Sequence, residues 1–219
     1  MKVYLGGTFD PVHNGHAHLA QELVSHLNID KLYLMPCYKA VHKNGVAASA
    51  SQRLEMLELA IKPFSNLLID DREIKQGGAS YTYETLLSIR DEEDEGGVSF
   101  VIGTDSLLSF STWFNASKIH ELANLIIVER PASSFNLSKE VLIKEQAASI
   151  AKLEALGFSQ LQNGEKLTEY RSGKVLVLKL SLYDISSTEI RTLVKKRKNI
   201  THLVSNEIAE YIQKHNLYQ

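Results

Sequence analysis

The sequence predicts an α/β chain: a doubly wound parallel sheet with helices on both faces and a small C-terminal helical portion. Two observations carry that expectation. Short apolar runs, fitting strands at 2–6, 31–36, 67–70, 98–102, 124–128 and 175–180, alternate with helical patterns along most of the chain. No internal repeat or linker-like stretch divides the 219 residues, so they read as a single domain, 1–219, with 183–219 as its C-terminal helical part. In such a sheet the first strand is expected to be central, with ligands gathered at the carboxyl ends of the strands.

The elements follow in order. Val3-Tyr4-Leu5 forms the first strand, and Ala17 to Leu27, with Leu19, Leu23 and Leu27 four residues apart, forms the helix after it. Arg53 to Ile61 and Thr82 to Arg90 are further helices. Asp91 to Gly97 is an acidic, solvent-facing loop before the buried strand at 98–102. Residues 132–175 carry no motif. Near the end, Ile190, Leu193 and Val194 mark an apolar-periodic helix that finishes in Lys195-Lys196-Arg197-Lys198, a solvated last turn that complements the helix dipole.

Composition excludes several classes. The formal net charge of −2 supplies no basic field for nucleic acid. The single cysteine, Cys37, excludes an internal disulfide and any multi-cysteine zinc site. No signal-peptide core or bilayer-spanning run is present, so a cytoplasmic location is expected, with no membrane partner. Oligomeric state is not legible.

The chemistry concentrates between the first strand and its helix, in Gly6-Gly7-Thr8-Phe9-Asp10-Pro11-Val12-His13-Asn14-Gly15-His16. A loop there meets free N–H groups and the positive end of a helix dipole, which suits phosphate. Gly6 and Gly7 let backbone approach the phosphates without a Cβ in the way. His13 and His16, three apart, face the same way, with His16 at a solvent-facing helix start. A metal pair would need a third ligand that the sequence does not offer, and a helix cap beside a solvated imidazole is the structural alternative. Ser186, Ser187 and Thr188 precede the apolar-periodic helix of Ile190, Leu193 and Val194. Ser186 with Glu189 forms a capping box, and the same helix start can also bind phosphate, with Arg191 one turn in.

The first string resembles the GxFDPxHxGH signature of the nucleotidyltransferases that share a Rossmann-like fold with the HIGH-type tRNA synthetases. Ile185-Ser186-Ser187-Thr188-Glu189-Ile190-Arg191 resembles their ISSTxxR motif. Ile102-Gly103-Thr104-Asp105-Ser106-Leu107-Leu108 with Thr112-Trp113, Ser80-Tyr81-Thr82 with Thr85-Leu86, and Arg130-Pro131 are similar to segments of the bacterial nicotinate-nucleotide adenylyltransferases. Three departures stand out: Ala40-Val41-His42-Lys43 replaces a Pro-Pro-His-Lys loop, Ala79 replaces a proline, and Phe114 replaces a tyrosine.

The resemblance implies transfer of AMP from ATP to nicotinate mononucleotide, with Mg²⁺ bound mainly through the ATP phosphates and no protein residue assigned to the metal. It implies ATP binding by Gly7, Thr8, Phe9, His13, His16, Ser186, Ser187, Thr188 and Arg191, with His16, His13, Lys43 and Arg191 serving catalysis. For the mononucleotide it implies Thr82, Gly103, Asp105, Trp113, Phe114, His42, Lys43 and Arg130. Trp113 is the stacking platform for the pyridine, Thr82 and the Phe114 N–H hold its carboxylate, and Asp105 accepts from ribose. Structural alternatives stand beside these roles: Asp105 as the N-cap of a helix over 106–110, Trp113 as core, and Arg130 as a surface residue before a turn. A pantetheine-phosphate adenylyltransferase, a cytidylyltransferase and a non-enzymatic nucleotide-sensing module are the competing functions.

Overall fold

The computed structural model describes residues 1–39, 46–92, 96–129 and 139–219. Among the described residues seven strands, β1 (Lys2–Gly7), β2 (Leu32–Pro36), β3 (Leu67–Ile69), β4 (Val98–Gly103), β5 (Asn124–Val128), β6 (Ser159–Gln160) and β7 (Lys174–Leu178), follow the order β3-β2-β1-β4-β5-β7-β6. The pairs β1–β4, β2–β3, β4–β5, β5–β7 and β6–β7 are all parallel. This is the Rossmann-like arrangement, in which strand order reverses between β1 and β4. The strand at the middle of the seven is β4, with β1 third from one edge, because 159–178 adds both β6 and β7 to the far side.

The chain forms two compact units, Met1–Leu5 with Tyr81–Leu180, and Gly6–Ser80 with Ser181–Gln219; β1 contributes to both. In the first unit β5 is buried along its whole length, as a strand flanked by parallel neighbours requires. Its register with β4 pairs Ser99 with Asn124 through to Gly103 with Val128. Helix α4 (Thr82–Glu92) buries Thr85, Leu86, Ile89 and Arg90. Arg90 donates to the carbonyls of Leu122, Gly96 and Arg171, so a charged side chain within the apolar stripe ties the ends of three segments. Helix α5 (Thr104–Ser109) starts immediately after β4, and α7 (Lys139–Ala155) packs against it, with Gln146 Nε2 donating to Thr104 Oγ1 at 3.3 Å.

In the second unit, α1 (Asn14–Leu27) begins three residues earlier than the leucine spacing alone suggests, with His13 as its N-cap residue. Helix α2 (Ala50–Ile61) opens on a capping box between Ser49 and Gln52 and buries Arg53, Met56 and Leu57. Helices α8 (Ser187–Lys195) and α9 (Asn206–Lys214) start at Ser186 and Ser205, whose side chains accept the N–H groups of Glu189 and Ile208. The Leu203 carbonyl accepts the Asn14 N–H at 2.9 Å, which fixes the C-terminal segment against the start of α1. Lys195 to Lys198 are exposed, as a solvated last turn should be. Among the described residues no helix is long and apolar enough to cross a membrane.

Candidate active site

The second unit brings the two motif segments together. Phe9 takes a left-handed conformation, φ +50°, yet is almost fully buried. A non-glycine residue holds that conformation only when its surroundings over-determine it. Here a Cβ on Gly7 would lie 2.7 Å from the Phe9 ring. Gly7 therefore makes room for Phe9.

His13 and His16 do stand side by side, with ring centroids 3.7 Å apart and 31° between their planes. His13 is buried at 7% exposure, and His16 is half-buried rather than solvent-facing, with the edge of Phe9 5.0 Å from its ring. The His13 backbone N–H donates to His16 Nδ1 at 3.3 Å. An imidazole that accepts at Nδ1 carries its proton on Nε2 when neutral, so the ring is held as an Nε2–H donor. A Cβ on Gly15 would approach His13 Nδ1 to 3.1 Å, which explains a glycine between the histidines. His18, one helix face away, stacks on Tyr183 at 4.2 Å and bonds the Ser181 carbonyl through Nε2.

The serine-rich segment is laced to that turn. Ser187 Oγ donates to the Pro11 carbonyl at 2.9 Å, and Arg191 donates to the Asp10 carbonyl at 2.7 Å and to Thr188 Oγ1 at 3.1 Å. These side chains thus hold the Asp10–Pro11 turn as well as opening α8. The Asp10 carboxylate, 4% exposed, accepts the N–H groups of Ala47 and Ala48 and the Tyr218 hydroxyl. Buried donors of this kind satisfy a carboxylate that water does not reach.

Arg53 is a residue that sequence reasoning missed. It is 1% exposed and donates to the carbonyls of Thr8 at 2.8 Å, Cys37 at 2.7 Å and Tyr38 at 2.8 Å. The guanidinium thereby joins the loop after β1 to the loop after β2. A signal existed: Arg53, Met56 and Leu57 stand at helical spacing, so the arginine occupies a position on the buried stripe. Cys37 is half-buried at the end of β2, with Sγ 3.8 Å from Thr8 Oγ1.

The first unit assembles a separate group. Thr82 opens α4, and its neighbours Tyr81 and Tyr83 both lie against Phe114, with ring centroids 5.0 Å and 6.1 Å away. Those contacts hold the start of α4 beside the Trp113–Phe114 turn. Trp113 is half-buried, and one side of it meets Phe110 at 5.0 Å. Phe114 is 48% exposed, unusually open for a large apolar ring. Gly103 is the N-cap residue of α5 and Asp105 lies exposed in its first turn, so Asp105 does not serve as the N-cap. The helix starts at Thr104 because β4 runs directly into it. His42, Lys43 and Arg130 lie outside the described residues.

The cytidylyltransferase-like family model matches residues 4–193. A Psychromonas ingrahamii protein named probable nicotinate-nucleotide adenylyltransferase is 38% identical to this chain over 216 residues, covering 99% of this chain and 96% of its own. A Legionella pneumophila (strain Lens) protein of the same name is 35% identical, covering 98% of this chain and 97% of its own. The solved structure of Plasmodium falciparum nicotinic acid mononucleotide adenylyltransferase complexed with NaAD shares the fold, with a TM-score of 0.71 at 21% identity over 99% of this chain and 96% of that one. The chain belongs to the cytidylyltransferase-like family and, within it, to the nicotinate-nucleotide adenylyltransferases.

Proposed function

We propose that residues 1–219 act together to transfer AMP from ATP to nicotinate mononucleotide, giving nicotinate adenine dinucleotide and pyrophosphate. The observation that carries the reading is the lacing of the Gly7–His16 turn to the Ser186–Arg191 segment through Ser187–Pro11 and Arg191–Asp10 bonds. It gathers an Nε2–H imidazole, a helix start and a guanidinium about one turn. Those are the groups that neutralise charge on a triphosphate.

The attacking oxygen belongs to the phosphate of the mononucleotide, which is anionic at neutral pH and needs no general base. It bonds to the α-phosphorus as the bond to the β-phosphate oxygen breaks, and pyrophosphate leaves with the electron pair. Catalysis is then positioning plus neutralisation of charge on the α-phosphate. His16 Nε2–H donates to an α-phosphate oxygen, with His13 backing its ring. The N–H groups at the start of α8, the Ser186 to Thr188 segment and the remaining donors of Arg191 receive the β- and γ-phosphates. Gly7, Thr8 and Phe9 shape the loop, and Lys43 and His42 reach phosphate from theirs.

For the acceptor, Trp113 stacks on the pyridine, Thr82 and the Phe114 N–H take its carboxylate, Gly103 and Asp105 meet the ribose, and Arg130 contacts the product side. Mg²⁺ would be held through the ATP phosphates. The Asp10 carboxylate is occupied by three donors, and among the described residues no three His, Cys, Asp or Glu side chains form a metal cluster. A phosphate-held ion fits that donor set and supplies charge neutralisation. The test is label transfer: from ATP labelled at the α-phosphorus, the label is expected in the dinucleotide and not in pyrophosphate. Label in free AMP alone would overturn the reading.

A further inference from the structure

We infer that Tyr218 is a positioning residue for the nucleotide turn: its hydroxyl fixes the Asp10 carboxylate and, through it, the Thr8–His13 turn and the segment at Ala47–Ala48. The inference rests on the proposed phosphate site and concerns how that site is held. Tyr218 donates to Asp10 Oδ1 at 2.8 Å across 208 residues of sequence. The same oxygen accepts the Ala48 N–H at 3.1 Å, while Oδ2 accepts the Ala47 N–H at 2.9 Å and lies 3.9 Å from Arg191. Asp10 is therefore the point at which the turn, the chain ahead of α2, the α8 arginine and Tyr218 meet.

The backbone around Tyr218 is shaped to deliver the phenol. Asn216 and Tyr218 both take left-handed conformations, φ +51° and +62°, and Leu217 between them is buried. A tyrosine in that region is uncommon, and such a conformation persists where the surroundings over-determine it. Burial, and then the Asp10 charge, push the phenol pKa up, so the hydroxyl stays a neutral donor at physiological pH. Phe9 and Pro11, the neighbours of Asp10, are both buried, so a shift of the carboxylate is transmitted to the turn that carries His13.

The test is steady-state kinetics of Tyr218→Phe, which keeps the ring and removes the hydrogen bond. The ATP KM is expected to rise roughly tenfold, the effect of losing one hydrogen bond to a charged group. The nicotinate mononucleotide KM should rise less than the ATP KM, because Thr82, Gly103, Asp105, Trp113 and Phe114, most of its assigned residues, lie in the other unit. Wild-type KM values for both substrates, or equal rises in both, would overturn the inference. If Tyr218→Phe does not fold, Asp10→Asn weakens the same bond from its acceptor side, and an unchanged ATP KM there overturns it as well. Direct titration of a non-hydrolysable ATP analogue separates this inference from the activity itself. An inactive wild-type enzyme that binds the analogue about tenfold tighter than Tyr218→Phe contradicts the reaction and keeps the positioning role. An active wild type with equal analogue affinity in the variant contradicts only the role of Tyr218.

Discussion

His16 accepts the backbone N–H of His13 on Nδ1 at 3.3 Å while its ring lies 3.7 Å from the His13 ring, so one residue sets both the orientation and the tautomer of the other. The donor at Nε2 is thus preorganised by main chain. His16→Ala is expected to lower turnover by roughly 10² to 10³, as for removal of one preorganised donor to developing charge. Because the ring is half-buried against His13 and Phe9, the variant should also lose about 1 kcal/mol of stability, a helix-start effect. Single-turnover rates with a parallel thermal melt check both; near-normal turnover contradicts the assignment.

Gly7→Ala tests the packing beneath the turn. The new Cβ meets the buried Phe9 ring at 2.7 Å, and Phe9 is already in a left-handed conformation. Overpacking there should destabilise the protein by about 1–3 kcal/mol and raise the ATP KM as the turn shifts. A melt and a kinetic trace indistinguishable from wild type would show that Phe9 yields freely.

Arg53→Met should cost about 3 kcal/mol or more, since three carbonyls lose a charged donor in a site where water does not replace it. In a chain of this size that corresponds to a Tm lower by roughly 6–12 °C. Arg53→Lys keeps the charge but not the fork, and a single ammonium cannot reproduce its planar geometry, so an intermediate Tm is expected. Equal Tm values for Lys and wild type would show that charge alone matters.

The alternation of strands and helices was readable because parallel strands buried on both faces appear as continuous apolar runs, and five of them align with the expected ranges almost residue for residue. β6 was not, because two exposed residues, Ser159 and Gln160, carry no apolar signal and pair only through main chain. The motif histidines and serines were legible by type and spacing. What they bond was not: that Gly7 also leaves the space Phe9 fills, and that Gly103 rather than Asp105 is the N-cap residue of α5, appear only in the fold. The residues that hold the turn, Arg53, Asp10 and Tyr218, act through contacts 37 to 208 residues apart, a separation no local pattern encodes.

Alkaline pH should destabilise the fold. Burial, followed by its hydrogen bond to Glu55, pushes Tyr211 up to about 12, and Tyr218 is raised as well. Above pH 10 the unfolded chain releases phenolic protons that the folded chain keeps, so stability falls as pH rises from about 10 towards 12. Absorbance titration of the tyrosines should show late-titrating groups, one fewer in Tyr211→Phe, with Tm declining over the same interval. A Tm constant from pH 9 to 11.5 would contradict both assignments.

The most direct test of the central claim is pyrophosphate release from ATP and Mg²⁺ across a panel of acceptors: nicotinate mononucleotide, nicotinamide mononucleotide, phosphopantetheine and none. Nicotinate and nicotinamide differ by a carboxylate against a carboxamide, which hydrogen-bonding groups distinguish; in the proposed pocket these are Thr82 Oγ1 and the Phe114 N–H. We expect kcat/KM for the nicotinate form to exceed that for the nicotinamide form by roughly 10² to 10³, with the ratio eroded in Thr82→Val and kept in Trp113→Ala. Phosphopantetheine should give no release above background. Equal use of the two mononucleotides would contradict the pocket, release with phosphopantetheine alone would contradict the substrate, and ATP binding without pyrophosphate from any acceptor would contradict the reaction.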